Sequence, residues 1–158
     1  MEALKGQKIA IIGATSGMGL ATAQLLSSLG AHIIVGSRSL SRSQSVCKTL
    51  VGSSTPLEVD LTNEQSIVEF FNDAGTLDHL IMPGSSIKVG PIKSLSSADA
   101  LYTLTCKFFG PYLAAKYATL KQRGSIVLFS GTLSRRPSNN MTILSATNGA
   151  VESLGRSL

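Results

Sequence analysis

From Gln7 onward, short runs of branched aliphatic residues alternate with longer segments in which apolar positions recur every three or four residues. This is the pattern of a parallel sheet with helices on both faces. The runs Lys8 to Ile12, His32 to Val35, Leu57 to Val59, Asp78 to Met82 and Ser125 to Phe129 predict five strands. Between them the spacing of Met18, Ala21, Leu25 and Leu29 predicts the core face of a first helix, ended by Gly30, and a second runs through Val46 and Leu50 to Gly52. Thr62 and Gln65 form a capping-box pattern ahead of a third helix carrying Ile67, Phe70 and Phe71.

Leu101, Leu104, Phe108, Tyr112 and Ala115 mark one face of a long helix to about Lys121, in which Gly110-Pro111 predicts a break or kink. Leu144, Asn148, Val151, Leu154 and Leu158 mark the last helix, and the Pro83–Pro91 and Ser130–Asn140 stretches are loops. No internal repeat is visible, and residues 1–158 are expected to form one domain.

Composition narrows the class. At 43% apolar and 15% charged residues the chain can bury a core, and disorder is not expected. The early apolar run Ile9 to Ile12 is far shorter than the roughly 20 residues of a membrane span, and no leader pattern precedes it, so a soluble, unprocessed, cytoplasmic protein is expected. Cys47 and Cys106 are too few and too far apart for a disulfide framework or a zinc knuckle and read as small buried hydrophobes.

Net charge is −2 over residues 1–78 and +7 over residues 79–158. The basic charges are scattered and aromatic residues are 5% of the chain, which argues against nucleic acid and for a solvated face or an anionic ligand. His32 and His79 have no partner at metal-ligand spacing and read as structural, so no metal is expected. Arg135 and Arg136 form either an exposed basic loop or a site for a carboxylate or phosphate.

The segment that carries chemistry is Gly13-Ala14-Thr15-Ser16-Gly17-Met18-Gly19, which follows the first strand and opens a helix. Free backbone N–H groups and the positive end of the helix can cradle a diphosphate there. Gly13 permits the tight turn, Gly17 the close approach of a pyrophosphate, and Gly19 the packing of helix on strand. No Lys-Ser or Lys-Thr follows, so the loop is not of the Walker type. An acid at the end of the second strand would bind a ribose 2′-hydroxyl and repel a 2′-phosphate; the residues here are Ser37, Arg38 and Ser39. An arginine that forks onto phosphate, flanked by two hydroxyl donors, favours NADP(H) over NAD(H).

With these features the chain resembles the short-chain dehydrogenase/reductase family over essentially its whole length. The matching segments are Gly13-x3-Gly17-x-Gly19, Val59-Asp60-Leu61-Thr62, Leu77 to Ile81, Gly124 to Val127, and Gly149 to Leu158. The resemblance implies a Rossmann-type, doubly wound, three-layer α/β sheet of strand order 3-2-1-4-5. It also implies that Asp60 holds the adenine amino group, that Leu61 packs beside it, and that Pro83 and Gly84 offer backbone contacts to the cofactor.

The family's catalytic Ser, Tyr, Lys and Asn fall on Gly131, Leu144, Asn148 and Lys107. The catalytic residues are therefore unknown. Leu144 cannot ionise, Ser130 and Thr132 adjoin the glycine, and Lys107 is either an acid or a surface charge. Family members usually continue into a further strand, a substrate-covering loop and a last strand, so an incomplete nicotinamide and substrate pocket is expected here. The helices over 101–121 and 141–158 correspond to those that pair across subunits, and a homodimer or homotetramer is expected. Two functions follow: an atypical NADP(H)-dependent oxidoreductase acting on a carbonyl or alcohol, or an inactive dinucleotide-binding sensor or partner-binding protein.

Overall fold

The computed structural model describes residues 4–158. Strands β1 (Lys8–Ile12), β2 (His32–Ser37), β3 (Ser54–Glu58), β4 (Leu77–Met82) and β5 (Leu120–Leu128) form one parallel sheet of order β3-β2-β1-β4-β5. This is the doubly wound Rossmann-type arrangement expected from the sequence. The helices are α1 (Gly17–Ser28), α2 (Leu40–Cys47), α3 (Glu64–Ala74), α4 (Ser97–Leu104), α5 (Gly110–Tyr117) and α6 (Thr142–Ser157). No described helix is long and apolar enough to cross a membrane.

Alternate residues of the central strands feed two cores, because successive side chains of a strand point to opposite faces. Ala10, Ile12, Ile34 and Leu80 meet Ile67, Phe70 and Phe71 of α3 and Leu113 of α5 on one face. Ile9, Ile11, Ile33 and Val35 meet Ala23 and Val46 on the other. Phe70 and Phe71 pack edge to face at 5.0 Å. Each such fully buried large side chain contributes roughly 1.5–3 kcal/mol.

The packed face of α1 differs from the expected one. Gly19, Ala23 and Ser27 lie against the sheet, while Met18 and Leu25 are 62% and 60% exposed. Small residues let the helix sit close to the strands, Leu20 and Leu26 pack against the core as partly buried flanks, and Met18 and Leu25 are left outside. Similarly, Leu101 and Tyr112 are exposed rather than core, and Tyr112 stacks on Phe109 at 5.8 Å.

Several boundaries also shift. Residues 48–50 are turn or irregular beyond α2 rather than helix, and β3 begins at Ser54 and runs through Pro56, which an edge strand tolerates. Asn63, not Thr62, caps α3: its side chain accepts from Ser66 N, while Thr62 gives both its N–H and hydroxyl to Asp60 Oδ1. The long helix ends at Tyr117, because Leu77 N bonds to Thr119 O and β5 already pairs at Leu120.

Gly110-Pro111 does not break that helix. Residues Thr105–Phe109 form a π turn between α4 and α5, with Gly110 N–H donating to Thr105 O five residues back. The widened turn accommodates a proline that has no N–H to give. Both histidines are pinned by neutral groups: His32 lies between Ser53 and Thr55, His79 between Ser125 and Gln7.

Candidate functional site

The chain runs from β1 outward to β3 and then crosses back to β4, so a crevice opens between the loops that follow β1 and β4. Those loops touch. A Cβ on Gly13, whose φ is +100°, would lie 2.7 Å from Gly84 Cα, and one on Gly19 would lie 2.1 Å from Gly13 O. Only glycine lets β1, the start of α1 and the post-β4 loop meet this closely. Ser16, at the N-cap of α1, makes no side-chain cap bond, and the first turn holds no acid, so no side chain competes for its N–H groups.

A hollow of about 520 Å³ is lined by Gly13, Thr15 and Ser16, by Ser37, Arg38 and Ser39, by Asp60 and Leu61, and by Gly84. A second hollow, about 350 Å³, shares Gly13, Ser16 and Gly84 with the first and reaches Met18, Gly19, Pro83 and Lys107. Every residue singled out from the sequence for the cofactor therefore lines one or both hollows, except Gly17. Gly17 sits at φ +52°, a conformation that favours glycine, and a Cβ there would meet nothing within 4 Å.

Around Arg38 the structure departs from the simple reading of three phosphate donors. Arg38 is held by Tyr102 OH at 3.2 Å and Ser86 Oγ at 3.1 Å, and among the described residues no carboxylate pairs with it. The Ser37 hydroxyl, however, donates to Ser39 O at 3.0 Å and contacts Ser43 Oγ at 2.9 Å, and Ser39 Oγ caps α2. These serines shape the turn. Arg42, one helical turn beyond Arg38, lines the same hollow and is the second cation there.

Asp60 Oδ1 takes both Thr62 donors, at 2.9 and 2.8 Å, which sets the orientation of its carboxylate. Cys106 also lines this hollow, with burial pushing its thiol pKa up.

At the other end, Lys107 projects from the π turn and donates to Phe129 O at 3.0 Å. It is half-buried, and that burial lowers its ammonium pKa; it is not the surface charge that a lysine on a long helix suggests. Ser130 Oγ lies 3.1 Å from Asn148 O and 3.0 Å from Glu152 Oε1. Glu152 also accepts from Ser134 and pairs with Arg135 at 3.0 Å, and the Ser134 and Ser130 hydroxyls, followed by the nearby guanidinium groups, lower its pKa. Arg135 is thus engaged within the protein. Among the described residues no group of three His, Cys, Asp or Glu is placed to hold a metal.

The profile of the family described as short chain dehydrogenase matches residues 7–158. The chain belongs to the short chain dehydrogenase family. It is similar to the short-chain dehydrogenase/reductase ATR9 of Stachybotrys chlorohalonatus, with 25% identity over all of this chain and 69% of that one. It also superposes on a dehydrogenase/reductase from Sinorhizobium meliloti 1021 with a TM-score of 0.88 at 22% identity, covering 97% of this chain and 65% of the other. BdcA in complex with NADPH superposes with a TM-score of 0.88 at 18% identity, covering 98% and 64%. At these identities the superpositions show the fold. The chain spans about half to two thirds of the length of most of the curated relatives it matches.

The four residues that the sequence resemblance sets at the family's catalytic positions come from three segments of the chain. Gly131 follows β5, Leu144 and Asn148 are buried one turn apart on α6, and Lys107 alone of the four lines the second hollow. Arg42 stands outside every motif that the sequence offers. Ser86 and Tyr102, which aim Arg38, are 48 and 64 residues away from it and carried no local signal.

Proposed function

We propose that the chain binds NADP(H) along this crevice and acts as an atypical oxidoreductase on a carbonyl or alcohol. The observation that carries the reading is Arg38, which is fixed by two neutral hydroxyls at the end of β2, lines an open hollow, and among the described residues forms no ion pair with a carboxylate. The fit is supported at three points. Arg38 and Arg42 suit a 2′-phosphate, Asp60 and Leu61 an adenine edge and face, and the uncapped start of α1 a diphosphate. Bound there, the dinucleotide supplies or accepts a hydride at its nicotinamide ring. The protein's share is to bind and orient it, and to exchange a proton at the substrate oxygen.

A second reading is favoured by one observation. Leu144 is buried and cannot ionise, and a side chain at Gly131 would meet the Asn148 amide, its Cβ standing 2.9 Å from Nδ2. On that reading the chain holds the dinucleotide without turnover, as a sensor or partner-binding protein. In either case we propose a reducing, cytoplasmic setting, in keeping with two cysteines too few and too far apart for a disulfide framework, and a homodimer or homotetramer.

Titration calorimetry of NADPH and NADH against the wild type and Arg38→Ala tests the binding claim. The variant is expected to lose about 1–3 kcal/mol towards NADPH and almost nothing towards NADH, given the worth of charge-assisted bonds. Equal losses for both would remove the 2′-phosphate assignment.

A further inference from the structure

We propose that the Lys107 side chain is the group that holds the substrate's carbonyl oxygen and gives it its proton, in the hollow beside the glycine loop. This rests on the dinucleotide reading above.

Three observations meet at Lys107. First, it lines the 350 Å³ hollow that begins at Gly13, Ser16 and Met18, and it is the only acid or base among the residues lining that hollow. Second, its ammonium gives one hydrogen bond, to Phe129 O at 3.0 Å, and no carboxylate pairs with it among the described residues. An ammonium has three donors, so the contact to Phe129 orients the group while others stay available. Third, the π turn that carries Lys107 is clamped from both sides: Gly110 packs on Leu61 of the first hollow, and α6 packs on the turn. The turn thus fixes the Lys107 backbone, and the bond to Phe129 O holds the amine at the end of its flexible side chain.

The competing group, Ser130, is poorly suited. Its single proton is directed at Asn148 O and the Glu152 carboxylate, and an alcohol beside a carboxylate is a weak acid. Lys107 is shifted the other way, because burial destabilises its charged form and no neighbouring charge opposes that. A donor whose pKa moves down towards neutrality transfers its proton more readily.

With NADPH as the reductant, the carbonyl carbon gains a C–H bond and two electrons, and the C=O π pair moves onto oxygen. That oxygen takes a proton from Lys107 Nζ. The products are an alcohol, NADP+ and a neutral amine, which water reprotonates. Alcohol oxidation runs the same steps backwards.

The test uses the full chain with its lysines labelled with 13C at Cε, and the Lys107 resonance assigned by its loss in Lys107→Met. Two ligands are added in turn: adenosine 2′,5′-bisphosphate, which fills only the adenine end, and NADP+, which adds a fixed positive charge at the nicotinamide end. The expected result is that Lys107 titrates below the other lysines, is unmoved by the bisphosphate, and titrates lower still with NADP+. In parallel, deuteride transfer from labelled NADPH to benzaldehyde, cyclohexanone and ethyl acetoacetate is expected to fall about 10²- to 10⁴-fold in Lys107→Met, the span of general-acid catalysis, with bisphosphate affinity unchanged.

NADP+ binding that leaves the Lys107 titration unmoved overturns the proposal and spares the dinucleotide reading. So does a wild-type chain that binds NADPH but transfers no label. Absence of binding by both ligands defeats the dinucleotide reading and this proposal with it.

Discussion

The side-chain amide of Asn148 fills the space that a side chain on residue 131 would need, with Nδ2 2.9 Å from the point where a Cβ on Gly131 would stand. Gly131 is extended, at φ −165°, so the constraint is packing and not backbone conformation. Asn148 is 2% exposed, and its Oδ1 finds no hydrogen-bond partner among the described residues. The two residues are a matched pair: a larger residue at 131 and an amide at 148 exclude each other. Gly131→Ser is therefore expected to destabilise the fold by about 1–3 kcal/mol through overpacking. Asn148→Ala removes an unsatisfied oxygen and should relieve much of that cost in the double variant. Urea unfolding of the four-member cycle checks this, with a coupling of about 0.5–3 kcal/mol expected and strict additivity counting against the contact.

Gly110→Ala should reverse the usual sign of its substitution. In an ordinary helix interior alanine gains about 1 kcal/mol over glycine. Here the new methyl would stand 2.6 Å from Leu61 O and 2.7 Å from Leu61 Cβ. A net loss of about 1–2 kcal/mol is expected, lowering Tm by about 2–8 °C. An unchanged or higher Tm in scanning calorimetry would show that the helix and the Leu61 segment can separate freely.

Phe109 and Tyr112 stack on one another while remaining 46% and 43% exposed on the long helix. If this face joins two copies of the chain, Phe109→Glu should weaken self-association at least tenfold, because buried aromatic anchors commonly carry more than about 1 kcal/mol of an interface. Sedimentation velocity at micromolar concentration reads the outcome. A wild type that sediments as a monomer removes the homodimer and homotetramer alike.

Acid should selectively remove one tie between sheet edge and centre. Asp78 Oδ2 accepts from Lys121 Nζ and from Lys8 N, both at 2.8 Å. The Lys121 hydrogen bond, and then that from Lys8, hold its pKa below the ordinary 3.8. A carboxyl whose folded pKa is depressed contributes its stability above the unfolded value and loses it as pH falls through the folded one. The difference in urea midpoint between the wild type and Asp78→Asn should be constant near neutrality and shrink below pH 3.8. A gap that persists unchanged to the lowest pH at which the fold survives would contradict the assignment.

The order of strands and helices, the glycine loop and the basic residue after β2 were legible along the chain because each depends on neighbours within a few residues. Alternation decides a strand, helical spacing a helix, and Gly13, Gly17 and Gly19 a turn that other residues cannot make. The same local logic misplaced the packed face of α1, since Met18 and Leu25 are more hydrophobic than Gly19 and Ser27 but too large for the gap against the sheet. It also gave no sign that Ser86 and Tyr102 aim Arg38, or that Phe129 holds Lys107, because those partners are 22 to 64 residues distant.

Local hydrophobic period and backbone freedom thus settle which elements form and where the glycine turn falls. Which side chains are buried, paired or left reactive is decided only when distant segments close on one another, because desolvation and hydrogen bonding depend on what finally surrounds each group. Lys107 shows the difference most plainly: either an acid or a surface charge in the sequence, a half-buried amine beside a hollow in the folded chain.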